Sequence, residues 1–157
     1  MSLGEFEAAV RQVTGAIAGM PVEPALAGVL EARFPPGGGA FERLRALCRQ
    51  GIAEGWLCGR EAGGIRYGRP VKAGPETAGY SVDVVLMEGL AGPHHAHPNG
   101  EIDMIMPETP GARFDGKGEG WLVYGPGSVH RPTVSEGRAI VLYLLPGGAI
   151  EFTKREP

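Results

Sequence analysis

Apolar residues recur at helical spacing up to about residue 58 and at alternate positions thereafter, so the chain divides into a helical part and a β part. Phe6, Val10, Val13 and Ile17 form one stripe, preceded by Ser2 and Glu5 at the spacing of a capping box and closed by Gly19 and Pro21. A second, short helix is expected from Pro24, with Leu26, Leu30 and Phe34 facing inward, and Pro35-Pro36-Gly37-Gly38-Gly39 breaks it. A third, from about Ala40 to Trp56, puts Phe41, Leu44, Cys48 and Ile52 on one face. Arg43, Arg45 and Arg49 fall largely on the other, which reads as a solvated face.

From Gly59 the pattern changes to short alternating runs separated by Gly and Pro, as in an antiparallel sandwich or barrel. Strands are expected near Gly64–Lys72, Tyr80–Met87, Glu101–Met106, Trp121–Tyr124, Arg131–Val134, Ala139–Leu145 and Ile150–Thr153. Turn chemistry lies between them in Ala73-Gly74-Pro75, Asp115-Gly116-Lys117-Gly118, Gly125-Pro126-Gly127, Ser135-Glu136-Gly137 and Pro146-Gly147-Gly148. The organisation expected is a helical segment over 1–58 packed on a β domain over 59–157. Trp121, Tyr124, Phe114 and Tyr143, together with Met87, Met104 and Met106, are read as core.

Composition narrows the function. A length of 157 residues suits one compact unit. Lys and Arg number 15 against 18 Asp and Glu, a net charge of -3 that offers no cationic field for nucleic acid or an anionic membrane. Cys48 and Cys58 read as free thiols, and no apolar run is long enough to span a bilayer. A cytoplasmic protein is therefore expected.

The chemistry concentrates in Gly89-Leu90-Ala91-Gly92-Pro93-His94-His95-Ala96-His97-Pro98-Asn99-Gly100-Glu101, which holds three of the four histidines. His95 and His97 are two apart, so in extended backbone their imidazoles point to one side and can grip one ion. Glu101 joins them if the Pro98-Asn99-Gly100 turn brings the chain round, and His130 arrives from a neighbouring strand. Three neutral nitrogens and one carboxylate suit a divalent first-row metal (iron, manganese, nickel, cobalt or zinc) and leave positions open for water or substrate. An isolated His-x-His pair is more often a surface loop feature than a metal site. Here Gly89, Glu101 and the distant Pro-Gly-Ser-Val-His run ending at His130 weigh against that. His94 is out of phase and is expected to face away.

These two runs resemble the two-part signature of the cupin superfamily. The glycine expected seven residues after the glutamate is replaced by Glu108, Gly125 stands for the usual proline, and Val134 for the usual asparagine. The resemblance implies a double-stranded β-helix, the jelly-roll barrel, over about Gly64 to Phe152, and a homodimer. Within that superfamily the helical N-terminal segment, Gly64-Ile65-Arg66-Tyr67-Gly68-Arg69-Pro70-Val71, Gly92–Pro107 and Trp121–Val134 are together similar to the 4-hydroxylaminobenzoate lyase family. That family converts 4-hydroxylaminobenzoate to 3,4-dihydroxybenzoate and ammonia in the bacterial breakdown of nitroaromatic acids. The resemblance implies a small aromatic acid as substrate, with no nicotinamide, flavin or dioxygen.

Such a reaction needs a proton-transfer group and a cation for the carboxylate. Alternation places Asp103 on the side of Glu101, which makes Asp103 the candidate for orienting a ligand or for acid/base work. Arg66, Arg69 and Arg131 are the candidates for the carboxylate, since a guanidinium fork matches it. Arg66 and Arg69 rank first, with Tyr67 between them facing oppositely, because alternation turns Arg131 from the side of His130. Two other functions fit the same ligand set: a cupin dioxygenase, which needs oxygen, and a non-catalytic small-molecule-binding cupin.

Overall fold

Every residue of the first apolar stripe is buried, with Phe6 and Ile17 sealed completely, and that burial fixes where the helices sit. The computed structural model describes residues 2–153. Helix α1 spans Leu3–Ala16, and its Ser2 cap accepts the Glu5 amide at 3.3 Å, as the capping-box spacing predicts. Helices α2 (Leu26–Arg33) and α3 (Gly39–Glu54) follow; Gly55, at φ 87°, ends α3 in the left-handed conformation that glycine adopts without steric penalty. No helix among the described residues is long and apolar enough to cross a membrane.

Among the described residues ten strands follow: β1 (Arg60–Ala62), β2 (Ile65–Val71), β3 (Tyr80–Ala91), β4 (His95–His97), β5 (Glu101–Pro107), β6 (Arg113–Phe114), β7 (Gly120–Tyr124), β8 (Ser128–His130), β9 (Thr133–Pro146) and β10 (Glu151–Phe152). All pairings are antiparallel. The larger sheet runs β1-β2-β3-β9-β5-β7, with β6 also on β9, and the smaller runs β10-β4-β8. Two antiparallel sheets with a shared interior, preceded by three helices, are the jelly-roll arrangement that the sequence implied.

The larger sheet is buried on both faces. Val82, Val84, Ile102, Met104, Met106, Ile140, Leu142 and Leu144 form one core with the three helices, while Val85, Met87, Ile105, Phe114, Val141 and Tyr143 form a second core inside the barrel. Each fully buried aliphatic or aromatic side chain contributes about 1.5–3 kcal/mol, so the helices cover a face that water could not. Trp121 joins this cover to the sheet through its indole N–H, which donates to the Phe34 carbonyl at 2.9 Å.

Three expectations change in the structure. Arg45 is 8% exposed rather than solvated: it lies over the Phe41 ring at 5.3 Å and donates to the Pro107 carbonyl and the Glu119 carboxylate. The helix stripe is wider than four residues, because Leu47 is buried as well. Secondly, the segments expected at Arg131–Val134 and Ala139–Leu145 are one bent strand, β9. The run Ser135-Glu136-Gly137 is an irregularity within its pairing to β3, with positive φ at Glu136 and Gly137, and not a chain-reversing turn. Thirdly, Tyr67 and Arg69 share a face of β2 and Arg66 points the other way, as residues of opposite parity do in a strand.

Candidate metal centre

Strand β5 enters the barrel from a tight turn, and that turn builds the site. The Gly100 amide bonds the His97 carbonyl at 3.2 Å, and Gly100 takes φ 92°. A Cβ there would stand 2.9 Å from the Tyr124 carbonyl oxygen and 2.7 Å from Val22 Cγ1, so only glycine lets Glu101 follow His97 so closely. On the next strand pair, β4 and β8 place His95 directly opposite His130.

The outcome is a buried cluster of His95, His97, Glu101 and His130, whose four ligating atoms all lie within 4.8 Å of one another. Glu101 Oε1 is 3.0 Å from His97 Nε2 and 3.5 Å from His95 Nε2; Glu101 Oε2 is 3.5 Å from His130 Nε2. The Nε2 atoms of His95 and His130 are 2.9 Å apart. Adjacent donors around an ion with bonds of about 2.1 Å stand about 3 Å apart, so these separations are those of a ligand shell.

The remaining ring nitrogens fix the tautomers. His95 Nδ1 faces the Pro93 carbonyl at 3.2 Å, and a carbonyl can only accept. His97 Nδ1 faces Ser128 Oγ at 2.8 Å; that hydroxyl donates its proton to the Gly125 carbonyl at 2.7 Å, so it accepts from His97. His130 Nδ1 donates to the Asp115 carboxylate. All three protons therefore sit on Nδ1, and three Nε2 lone pairs converge with the carboxylate. Both oxygens of Glu101 and Nε2 of His97 are buried with no hydrogen-bond partner, which is costly for polar atoms unless a cation completes them. The residues fit a divalent metal ion.

A second layer of polar groups holds this shell. Asp115 also accepts the Tyr124 hydroxyl at 2.6 Å and the Thr133 amide at 2.9 Å. Burial alone would raise its carboxyl, but the bonds from His130 and Tyr124 outweigh that and hold it below the usual carboxylate range. The Tyr124 hydroxyl is pushed up by burial and by Asp115, which keeps it a donor. Without an ion Glu101 follows the same logic: burial would raise it, and protons shared from His95, His97 and Asp103, in the place a cation takes when the imidazoles are neutral, bring it below its ordinary value. Asp103 goes the other way. Fully buried on the Glu101 side of β5, with neither oxygen hydrogen-bonded, it is raised well above the ordinary carboxyl range by burial and then by the charge of Glu101.

Next to the cluster lies a cavity of about 600 Å³ with His95 in its wall and Arg60, Ile65, Tyr67, Arg69, Asp83 and Phe152 among its lining. The Phe152 ring stands 5.9 Å from that of His95 and is 61% exposed, at an open edge of the barrel.

Residues 8–152 match the family model described as PnbB: 4-hydroxylaminobenzoate lyase. The chain belongs to the 4-hydroxylaminobenzoate lyase family. It is 35% identical over 133 residues to a 4-hydroxylaminobenzoate lyase of Nocardioides sp. (strain LMS-CY), covering 79% of each chain. With the protein of that name from Pseudomonas putida it is 31% identical over 140 residues, covering 78% of this chain and 80% of the other. Among solved structures, oxalate oxidase is 20% identical with a TM-score of 0.44 over 59% of this chain and 57% of its own. A Ralstonia eutropha JMP134 protein with a cupin-like fold is 21% identical with a TM-score of 0.43, covering 62% and 63%.

In this member of the lyase family the structure brings together His95, His97, Glu101 and His130, and Asp103 lies buried two residues along β5 on the Glu101 side. The arginines separate. Arg69 lines the cavity but forks onto Asp83, with Nε to Oδ1 at 2.7 Å and Nη2 to Oδ2 at 3.1 Å. Arg66 lies opposite Glu61 on the other face of the sheet and reaches the Cys58 carbonyl at 3.5 Å; Arg131 donates to the Gly92 carbonyl at 3.3 Å. Neither lines the cavity. His94 faces away, as expected, and its Nδ1 meets the Thr153 hydroxyl, which joins β4 to the chain beyond β10. Asp115, Ser128 and Tyr124 were missed as parts of the site. Asp115 has the sequence signal of a turn residue, Ser128 lay inside the second histidine motif, and Tyr124 read as core.

Proposed function

We propose that this chain is a metal-dependent 4-hydroxylaminobenzoate lyase, forming 3,4-dihydroxybenzoate and ammonia. The observation that carries this reading is the buried three-histidine, one-carboxylate cluster beside an aromatic-lined cavity, in a member of that family. The reaction takes up one water. The N–O and C–N bonds break, two ring carbons gain hydroxyls, and the two electrons lost by the ring reduce nitrogen to ammonia, so no external oxidant or reductant enters.

His95, His97, Glu101 and His130 would hold a divalent ion, which would supply Lewis acidity when bound. The chain's own residues do the rest. Asp115, Ser128 and the Pro93 carbonyl hold the imidazoles in the Nε2-ligating tautomer. Asp103, fully buried and on the Glu101 side of β5, is the group beside the cluster for acid/base work. Tyr67, Tyr143 and Phe152 give the cavity apolar surface for an aromatic ring.

The test is an anaerobic incubation of metal-loaded protein with 4-hydroxylaminobenzoate, following both products, with His95→Ala as control. Equimolar 3,4-dihydroxybenzoate and ammonia, abolished in the control, is the expected result. Release only in air would replace the lyase with a dioxygenase.

A further inference from the structure

We propose that Arg60, on the edge strand β1, is the residue that binds the substrate's carboxylate; this rests on the lyase reading for the identity of the acid. The register of the hairpin carries the first part of the argument. Arg60 pairs with Tyr67 and Ala62 with Ile65, so these four side chains share the face of β1 and β2 that lines the cavity, whereas Glu61 and Arg66 share the opposite face.

Charge carries the second part. The cavity lining holds two guanidinium groups, Arg60 and Arg69, and one carboxylate, Asp83. Arg69 is committed: both oxygens of Asp83 occupy its fork, and its Nη1 donates to the Gly148 carbonyl at 3.3 Å. An incoming carboxylate at Arg69 would have to displace Asp83 and then face it as a like charge. Arg60 makes no ion pair or side-chain hydrogen bond among the described residues. It leaves the cavity wall with one uncompensated positive charge, which matches a monoanionic acid. His95, in the same wall, puts the metal cluster within the same cavity. An aromatic acid thus meets a guanidinium and the cluster in one space.

The experiment uses metal-loaded wild type, Arg60→Gln and Arg60→Lys, with calorimetric binding of 4-aminobenzoate and of aniline, its counterpart without the carboxylate. Arg60→Gln is expected to weaken 4-aminobenzoate by about tenfold and aniline by less than about twofold, because the lost contact is to a charge. Arg60→Lys is expected to fall between, since a point charge lacks the fork. Loosening of both ligands alike, of neither, or no binding of 4-aminobenzoate by wild type overturns the assignment. Turnover separates the two claims. A wild type that is inactive on 4-hydroxylaminobenzoate but shows the selective loss in Arg60→Gln refutes the lyase reading and keeps Arg60 as an aromatic-acid contact. An active wild type without that loss does the reverse.

Discussion

Asp115 accepts hydrogen bonds from His130, Tyr124 and the Thr133 amide, so a single carboxylate sets the tautomer of one metal ligand and anchors the aromatic beside it. Asp115→Asn keeps the shape but removes the charge. We expect metal affinity to drop about 10–100-fold, read by competition with a chelator, as for other partners of ligating histidines. Unchanged affinity would mean that strand pairing alone orients His130. Asp103 gives the complementary test. Asp103→Asn is expected to keep one metal per chain while turnover falls at least about 100-fold, the range of a lost general acid; equal metal content and equal turnover would remove Asp103 from the chemistry. At this scale the sequence was legible where residue type and parity alone decide, as for His95, His97 and the outward His94. It was not legible where one residue has two roles: Asp115 forms an Asp-Gly hairpin turn at φ 50°, and nothing in that turn announces that its side chain reaches a histidine on β8.

The elements explain why the ligands meet. A two-residue alternation aims His95 and His97 inward, and the turn at Gly100 returns the chain so that Glu101 begins β5 on the inner face. Gly100→Ala would force a left-handed backbone on a β-carbon and press it against the Tyr124 carbonyl, a strain of order 1–3 kcal/mol. The expected outcome is a lower urea midpoint together with weaker metal binding, because Glu101 must shift. A loss of stability with metal affinity intact would uncouple the turn from the site. Long, regularly alternating elements were readable: β2, β3, β5, β7 and the three helices fall where the apolar pattern puts them. The short strands β1 and β6 were not, since two or three residues carry no period and their pairing is imposed by neighbours, and β4 and β8 were read only through their histidines. Arg60 escaped notice for that reason: it lies on a three-residue edge strand whose role exists only through its register with β2.

At the scale of the molecule, a sheet apolar on both faces separates two environments. Ile102, Met104 and Met106 of β5 pack against the helices, while Glu101 and Asp103 of the same strand face the barrel interior, fully buried. Two carboxyls inside an apolar barrel are tolerable only if a cation, a proton or both compensate them. The alternation of β5 was visible in the sequence, but the burial of both its faces was not, because that depends on the helices docking over the sheet. Activity therefore depends on the ion. The direct measurement is stepwise reconstitution of chelator-treated protein with each candidate divalent metal, following bound metal and anaerobic product together. The predicted result is activity that rises in proportion to metal and stops at one ion per chain, with Glu101→Gln and His130→Ala failing to reach it. Full turnover by metal-free protein, or saturation unaffected by those substitutions, would contradict it.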